Sequence, residues 1–188
     1  MPVGIRGEAV IPGKAPVTSG HKGLIEKILV SRCLLGQPVR YDGGAHGPLE
    51  LLLRWQVEGR VVPLCPEVFG GLPTPRPPAE IAGGQGARVL DGELAVLTFD
   101  GVDVSPAFLA GAREALRLCA EHGIRLAVLK ARSPSCGNHE NYDGSFSGVR
   151  VPGEGVTAAA LRRAGVSVFN EDELAQAESW LAQQEIRA

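Results

Sequence analysis

The chain alternates short, dense apolar runs with longer segments whose apolar residues recur at helical spacing. Lys27 to Arg32 (KILVSR), Arg60 to Leu64 (RVVPL), Arg125 to Lys130 (RLAVLK) and Val166 to Phe169 are of the first kind and read as buried strands. Pro48 to Glu58 (PLELLLRWQVE) reads as a helix, with Pro at its start and Gly59 just past its end. Ser105-Pro106 opens a second helix, Ser105 as N-cap, which runs to about His122 with Gly123 as C-cap. Thr157 to Ala164 is a third, and Asn170 with Glu173 resembles a capping box for a last helix reaching about Gln184. Between these lie a stiff connection, GGLPTPRPPAE, from Gly70 to Glu80, and a pair of runs, Arg88 to Leu90 and Leu94 to Phe99, that flank Asp91-Gly92 as a hairpin would.

Strands alternating with helices predict an α/β fold: a single domain with a mainly parallel, Rossmann-like sheet flanked by helices. Residues 1 to 23, punctuated by Gly and Pro, read as an irregular arm, and residues 24 to 188 as the α/β domain.

Composition narrows the class. The 188 residues are 44% hydrophobic and 21% charged, as in an ordinary globular domain, with a net charge of -2. That balance does not advertise nucleic-acid binding, though a local basic patch stays open, and it mildly favours a small-molecule partner over intact RNA. No apolar run is long enough for a bilayer, and the first residues lack a secretory pattern, so the expected compartment is the cytoplasm. Thiols stay reduced there, and the four cysteines point to metal or catalysis before disulfides. Nothing in the sequence specifies an oligomeric state.

Three of the cysteines share one kind of position. Cys33 follows the first strand, Cys65 the second, and Cys136 lies in the loop beyond the strand ending at Lys130. Ligands of open parallel sheets bind outside the carboxyl ends of the strands, so three such loops can converge on one point. Cys119 instead falls on a helical stripe with Phe108, Ala112, Ala115 and Leu116, the pattern of a core face. Spacing alone leaves several readings of the trio: inert loop thiols, a zinc site completed by His46 or His139, or an iron–sulfur site.

Five ordered segments narrow the choice: SRCLLGQPVRYDGG (31 to 44), VPLCPEVFGGLPTPRPPAEI (62 to 81), LKARSPSCG (129 to 137), YDGSFSG (142 to 148) and GEGVTAAALRRAGV (153 to 166). Together they resemble the thiouracil desulfidase family over roughly Lys27 to Phe169. The resemblance implies a 4Fe-4S cluster held by three cysteines, which match Cys33, Cys65 and Cys136, and one iron without a protein ligand. It also implies a catalytic Glu and Ser, matching Glu67 of CPE and Ser133 of SPSCG. One departure is Val39, where many members carry a further Cys. The implied activity is removal of sulfur from a thiolated pyrimidine, of the 2-thiouracil or thiouridine type, with Glu67 as general base. Two alternatives are a non-enzymatic iron–sulfur sensor or electron carrier, which usually has four cysteine ligands, and a zinc-stabilised binding module. Arg40, Tyr41, Asp42, Tyr142 and Asp143 are secondary candidates for lining the substrate pocket, and Arg76 for pairing with Glu80 or with a carboxylate near the cluster. No Ser/His/Asp pattern for a serine hydrolase is evident.

Overall fold

Ile28 to Ser31 is buried along its whole length, and so is Leu126 to Leu129. Such runs need cover on both faces and therefore occupy the middle of a parallel sheet. A computed structural model of the chain describes residues 25–187; the expected arm, residues 1 to 23, lies outside them. In chain order the elements are β1 (Ile28–Ser31), α1 (Glu50–Val57), β2 (Val61–Leu64), α2 (Pro66–Phe69), β3 (Ala79–Ile81), α3 (Gly86–Leu90) and β4 (Val96–Thr98). They continue with α4 (Ser105–His122), β5 (Leu126–Leu129), β6 (Glu140–Tyr142), β7 (Arg150–Pro152), α5 (Val156–Arg163), β8 (Ser167–Asn170) and α6 (Leu174–Arg187).

The main sheet has four strands in the order β2-β1-β5-β8, all parallel. Alternation along β1 and β5 divides the core. Leu29, Ala127 and Leu129 face α4 and α5, where Ala115, Cys119, Ala158 and Leu161 meet them. Ile28, Val30, Leu126 and Val128 face α1 and α6, against Leu52, Trp55, Ala177 and Leu181. A third cluster packs Phe108, Ala112, Val156 and Ala160 under the small β3-β4 sheet. Phe108 is 1% exposed, and burying such a side chain stabilises the fold by about 1.5–3 kcal/mol. Cys119 lies in this interior, as its helical stripe predicts.

Most predicted elements stand within a residue or two. Half of the capping box forms: the Asn170 N–H donates to Glu173 Oε2 at 3.0 Å, but Asn170 Oδ1 accepts the Asp172 N–H at 2.8 Å, two residues on, in a turn that leads into α6 at Leu174. Gly123 ends α4 at φ 63°. Two expectations are corrected, and one further pair of strands is found. The Asp91-Gly92 hairpin is the end of a helix, with Asp91 capping α3 and Gly92 at φ 74°. A glycine at positive φ closes helices as readily as hairpins, and β4 pairs instead with β3. Val104, not Ser105, is the N-cap of α4, because the Ser105 hydroxyl is taken by the Val96 N–H at 2.8 Å. The Gly/Ser-rich stretch after Cys136 carries an antiparallel pair, β6 with β7.

Candidate metal centre

The three cysteines leave the sheet from adjacent strands. Cys33 sits in a 3-10 turn, Arg32–Leu35, directly after β1. Cys65 is the N-cap of α2, directly after β2. Cys136 lies in the turn beyond β5. Because the strands run parallel in the order β2-β1-β5, all three emerge at one edge. Their thiols are free, Cys33 and Cys136 buried and Cys65 partly so.

Two close backbone approaches seat these loops. A Cβ at Gly111 in α4 would lie 2.2 Å from the Pro66 carbonyl oxygen, so α2 rests directly on that helix, next to Cys65. A Cβ at Gly155 would lie 2.3 Å from the Ser135 carbonyl carbon and 2.7 Å from the Cys136 nitrogen. The start of α5 is clamped to the same loop: the N–H groups of Val156, Thr157 and Gly155 donate to the carbonyls of Pro134, Ser135 and Gly137 at 2.9, 2.8 and 2.7 Å. These contacts give the first amides of α5 a structural role.

Electrostatics tie the trio together. Burial, joined by the neighbouring Cys65, pushes the Cys33 thiol up to about 11, while the Lys130 ammonium and the Arg40 guanidinium pull against it. Burial also raises Cys136, with Glu67, Cys33 and Cys65 adding to the rise and the Ser31 hydroxyl, 3.6 Å from the sulfur, opposing it. Burial raises Cys65, and the N–H groups of Val68 and Glu67 oppose that. Cys119 is raised to about 11 by burial alone, with no charged neighbour, and stands apart from the trio.

Beside the cysteines lies a polar chain. Ser133 Oγ donates to Glu67 Oε1 at 3.3 Å and accepts from the N–H groups of Ser135 and Cys136, both at 3.1 Å. Glu67 Oε2 accepts from Arg76 Nε at 2.8 Å and lies 2.6 Å from Arg76 Nη2. The pair expected to be catalytic, Glu67 and Ser133, is thus in direct contact. Arg76 meets Glu67 and not Glu80, whose Oε2 instead accepts the N–H groups of Gly144 and Phe146 at 2.9 and 3.0 Å. Ser135 turns inward to Thr157 Oγ1 at 2.9 Å. Arg40 pairs with Asp42 at 3.4 Å, and Asp143 binds the Ser145 hydroxyl and N–H, so both aspartates brace their own turns. Sequence reasoning missed the Lys130–Glu171 pair, in which Glu171 Oε2 also accepts the Ala131 N–H at 2.7 Å.

The donor set fits an iron–sulfur cluster. Soft thiolates from three loops suit zinc or iron–sulfur, and a zinc site would need a further ligand such as His46 or His139. His46 Nδ1 lies 2.9 Å from the Gly47 carbonyl, and His139 Nε2 lies 2.7 Å from Glu173 Oε1, so each histidine is engaged elsewhere. Among the described residues no three His, Cys, Asp or Glu side chains close round a single metal ion.

A family model described as 2-thiouracil desulfurase matches residues 28–173. The chain belongs to that family. Within it, the uncharacterized protein YbbK of Bacillus subtilis (strain 168) is 44% identical over 147 residues, covering 78% of this chain and 97% of YbbK. A solved structure of the 4Fe-4S-dependent thiouracil desulfidase TudS is 50% identical, covers 84% of this chain and 99% of its own, and superposes with a TM-score of 0.77. The α/β architecture with its four-stranded parallel sheet agrees with that likeness. No helix among the described residues is long and apolar enough to cross a membrane.

Proposed function

We propose that this chain is a 4Fe-4S-dependent desulfidase acting on a thiolated pyrimidine, a 2-thiouracil or thiouridine, in the cytoplasm. Cys33, Cys65 and Cys136 hold the cluster, and Glu67 and Ser133 are the catalytic pair. The observation that carries this reading is the emergence of three free cysteines from adjacent parallel strands, with the Glu67–Ser133 hydrogen bond alongside. Kinship with TudS supports it. When bound, the cluster supplies a Lewis-acidic iron without a protein ligand, suited to the soft sulfur of a thiocarbonyl.

The chain's own residues handle the proton. Replacing sulfur by oxygen requires water to add to the ring carbon, and a carboxylate within reach accelerates that step as a general base. Glu67 serves through Oε1, since Oε2 is taken by Arg76. Ser133 has one hydroxyl proton, directed at Glu67 Oε1, while its oxygen receives two backbone N–H groups. That arrangement holds Oε1 in place, so Ser133 serves the reaction by hydrogen-bonding and orienting the carboxylate.

The test is anaerobic reconstitution, a visible spectrum, and sulfide release from 2-thiouracil. A brown protein that releases sulfide supports the reading; a brown protein that only cycles between redox states is the electron carrier. E67Q should keep its cluster and lose about 10²–10⁴-fold in kcat. Full turnover by E67Q would remove Glu67 from the role of base.

A further inference from the structure

Arg76 sits on a proline-rich segment outside any helix or strand, yet its side chain is only 6% exposed. Its backbone is tied in by its N–H, which donates to the Tyr41 carbonyl at 2.8 Å. The guanidinium reaches three parts of the site. Nε and Nη2 grip Glu67 Oε2, two residues past Cys65. Nη1 and Nη2 both donate to the Val39 carbonyl at 3.2 Å, on the loop that follows Cys33, and the Cys65 sulfur lies 3.9 Å from the same oxygen. Nη1 also meets the Pro73 carbonyl at 3.2 Å and Thr74 Oγ1 at 3.3 Å.

Every nitrogen of this guanidinium is therefore engaged by protein, and none is left over for a substrate. Whatever Arg76 contributes, it contributes through what it holds. What it holds most tightly is one oxygen of a carboxylate whose other oxygen, among the described residues, meets only the Ser133 hydroxyl. Two N–H groups of the guanidinium anchor this one carboxylate oxygen while a third tethers it to a second acceptor. An ammonium is a point charge with no such fixed fork of donors.

We infer that Arg76 is the positioning residue of the reaction: by locking Glu67 Oε2 to the Val39 carbonyl it fixes Oε1 as the oxygen that takes the proton. This rests on the reading of Glu67 as base, and the experiment separates the two. Four variants, R76M, R76K, E67Q and R76M/E67Q, are compared with the wild-type protein. Each is measured cluster-free for melting temperature and after reconstitution for iron content, KM and kcat with 2-thiouracil. Groups that hold a reacting residue in place typically matter by about 10–100-fold.

The expected result is a loss of that size in kcat for R76M, with iron content and KM unchanged, and only partial recovery in R76K. If Arg76 acts through Glu67, the double variant falls no lower than E67Q alone. A structure of cluster-free R76M should also show the Glu67 carboxylate rotated from its present plane. The inference is overturned if R76M lowers kcat by the same factor in the E67Q background as in the wild type. It is equally overturned if R76M fails to retain iron where E67Q retains it, which would make Arg76 a brace for the cysteines. Should R76M not fold, R76K decides: wild-type kcat overturns the inference, and reduced kcat at unchanged KM and iron content supports it. Undiminished turnover by E67Q itself would instead sink the base assignment.

Discussion

Replacing Gly155 by alanine adds one methyl group at the point where α5 meets the Cys136 loop. Its φ is -75° with ψ 164°, ordinary extended backbone, so alanine meets no conformational penalty there. The obstacle is space. The new Cβ would lie 2.3 Å from the Ser135 carbonyl carbon, 2.4 Å from its oxygen and 2.7 Å from the Cys136 nitrogen. Ordinary contact begins about 1 Å farther out, and the neighbour is backbone that cannot rotate aside. The loop must move off the helix, stretching the hydrogen bonds to the carbonyls of Pro134, Ser135 and Gly137. Overpacking of this kind costs about 1–3 kcal/mol. In a chain of this size each kcal/mol shifts the midpoint by about 2–4 °C, so G155A should melt roughly 2–12 °C below the wild type. Because the displaced atoms include the Cys136 backbone, the variant should also take up less iron on reconstitution. Gly47 is the control, since a Cβ there meets nothing within 4 Å. The assays are thermal unfolding of the cluster-free proteins and iron content after anaerobic loading. If G155A melts with G47A and the wild type and loads as much iron, the seating of Cys136 by α5 is wrong.

Removing the Ser133 hydroxyl in S133A strips the N–H groups of Ser135 and Cys136 of their acceptor and Glu67 of a donor. A loss of about 1–3 kcal/mol in denaturant unfolding, together with a lower kcat, is expected; unchanged stability would show that water replaces the hydroxyl freely. Glu171 governs part of the acid stability. Burial opposes its charge, but the Lys130 ammonium and the Ala131 N–H outweigh burial and hold the carboxyl below its usual range. A carboxyl whose pKa is lower folded than unfolded stabilises the fold above the unfolded value, and that stability disappears as pH falls through the folded value. E171Q should therefore be less stable at pH 7 and show a flatter acid limb below about pH 4; parallel acid limbs for the two proteins would contradict the assignment.

The four strands of the main sheet were legible as short, dense apolar runs, although only the central β1 and β5 are buried along their whole length and the edge strands β2 and β8 are buried in part. The cysteine trio was legible for the same reason: once the strands are placed, Cys33, Cys65 and Cys136 fall just beyond them. The stretch from Gly70 to Phe99 was not. Its proline-rich part has no periodicity, so nothing in the sequence showed that Arg76 turns to Glu67 while Glu80 holds Gly144 and Phe146. Asp91-Gly92 carried a true signal for positive φ but not for which element it ends. The β6-β7 pair is three residues a side and mostly polar, too short to show alternation.

The strand order β2-β1-β5-β8 places late-made chain beside early-made chain. Cys33 and Cys65 leave the ribosome well before Cys136, and the loop bearing Cys136 is seated by α5, which follows it. A nascent chain that has produced all three proposed ligands still lacks the element that sets the third. A chain truncated before Val156 would carry all three proposed ligands but lack the helix that seats the Cys136 loop.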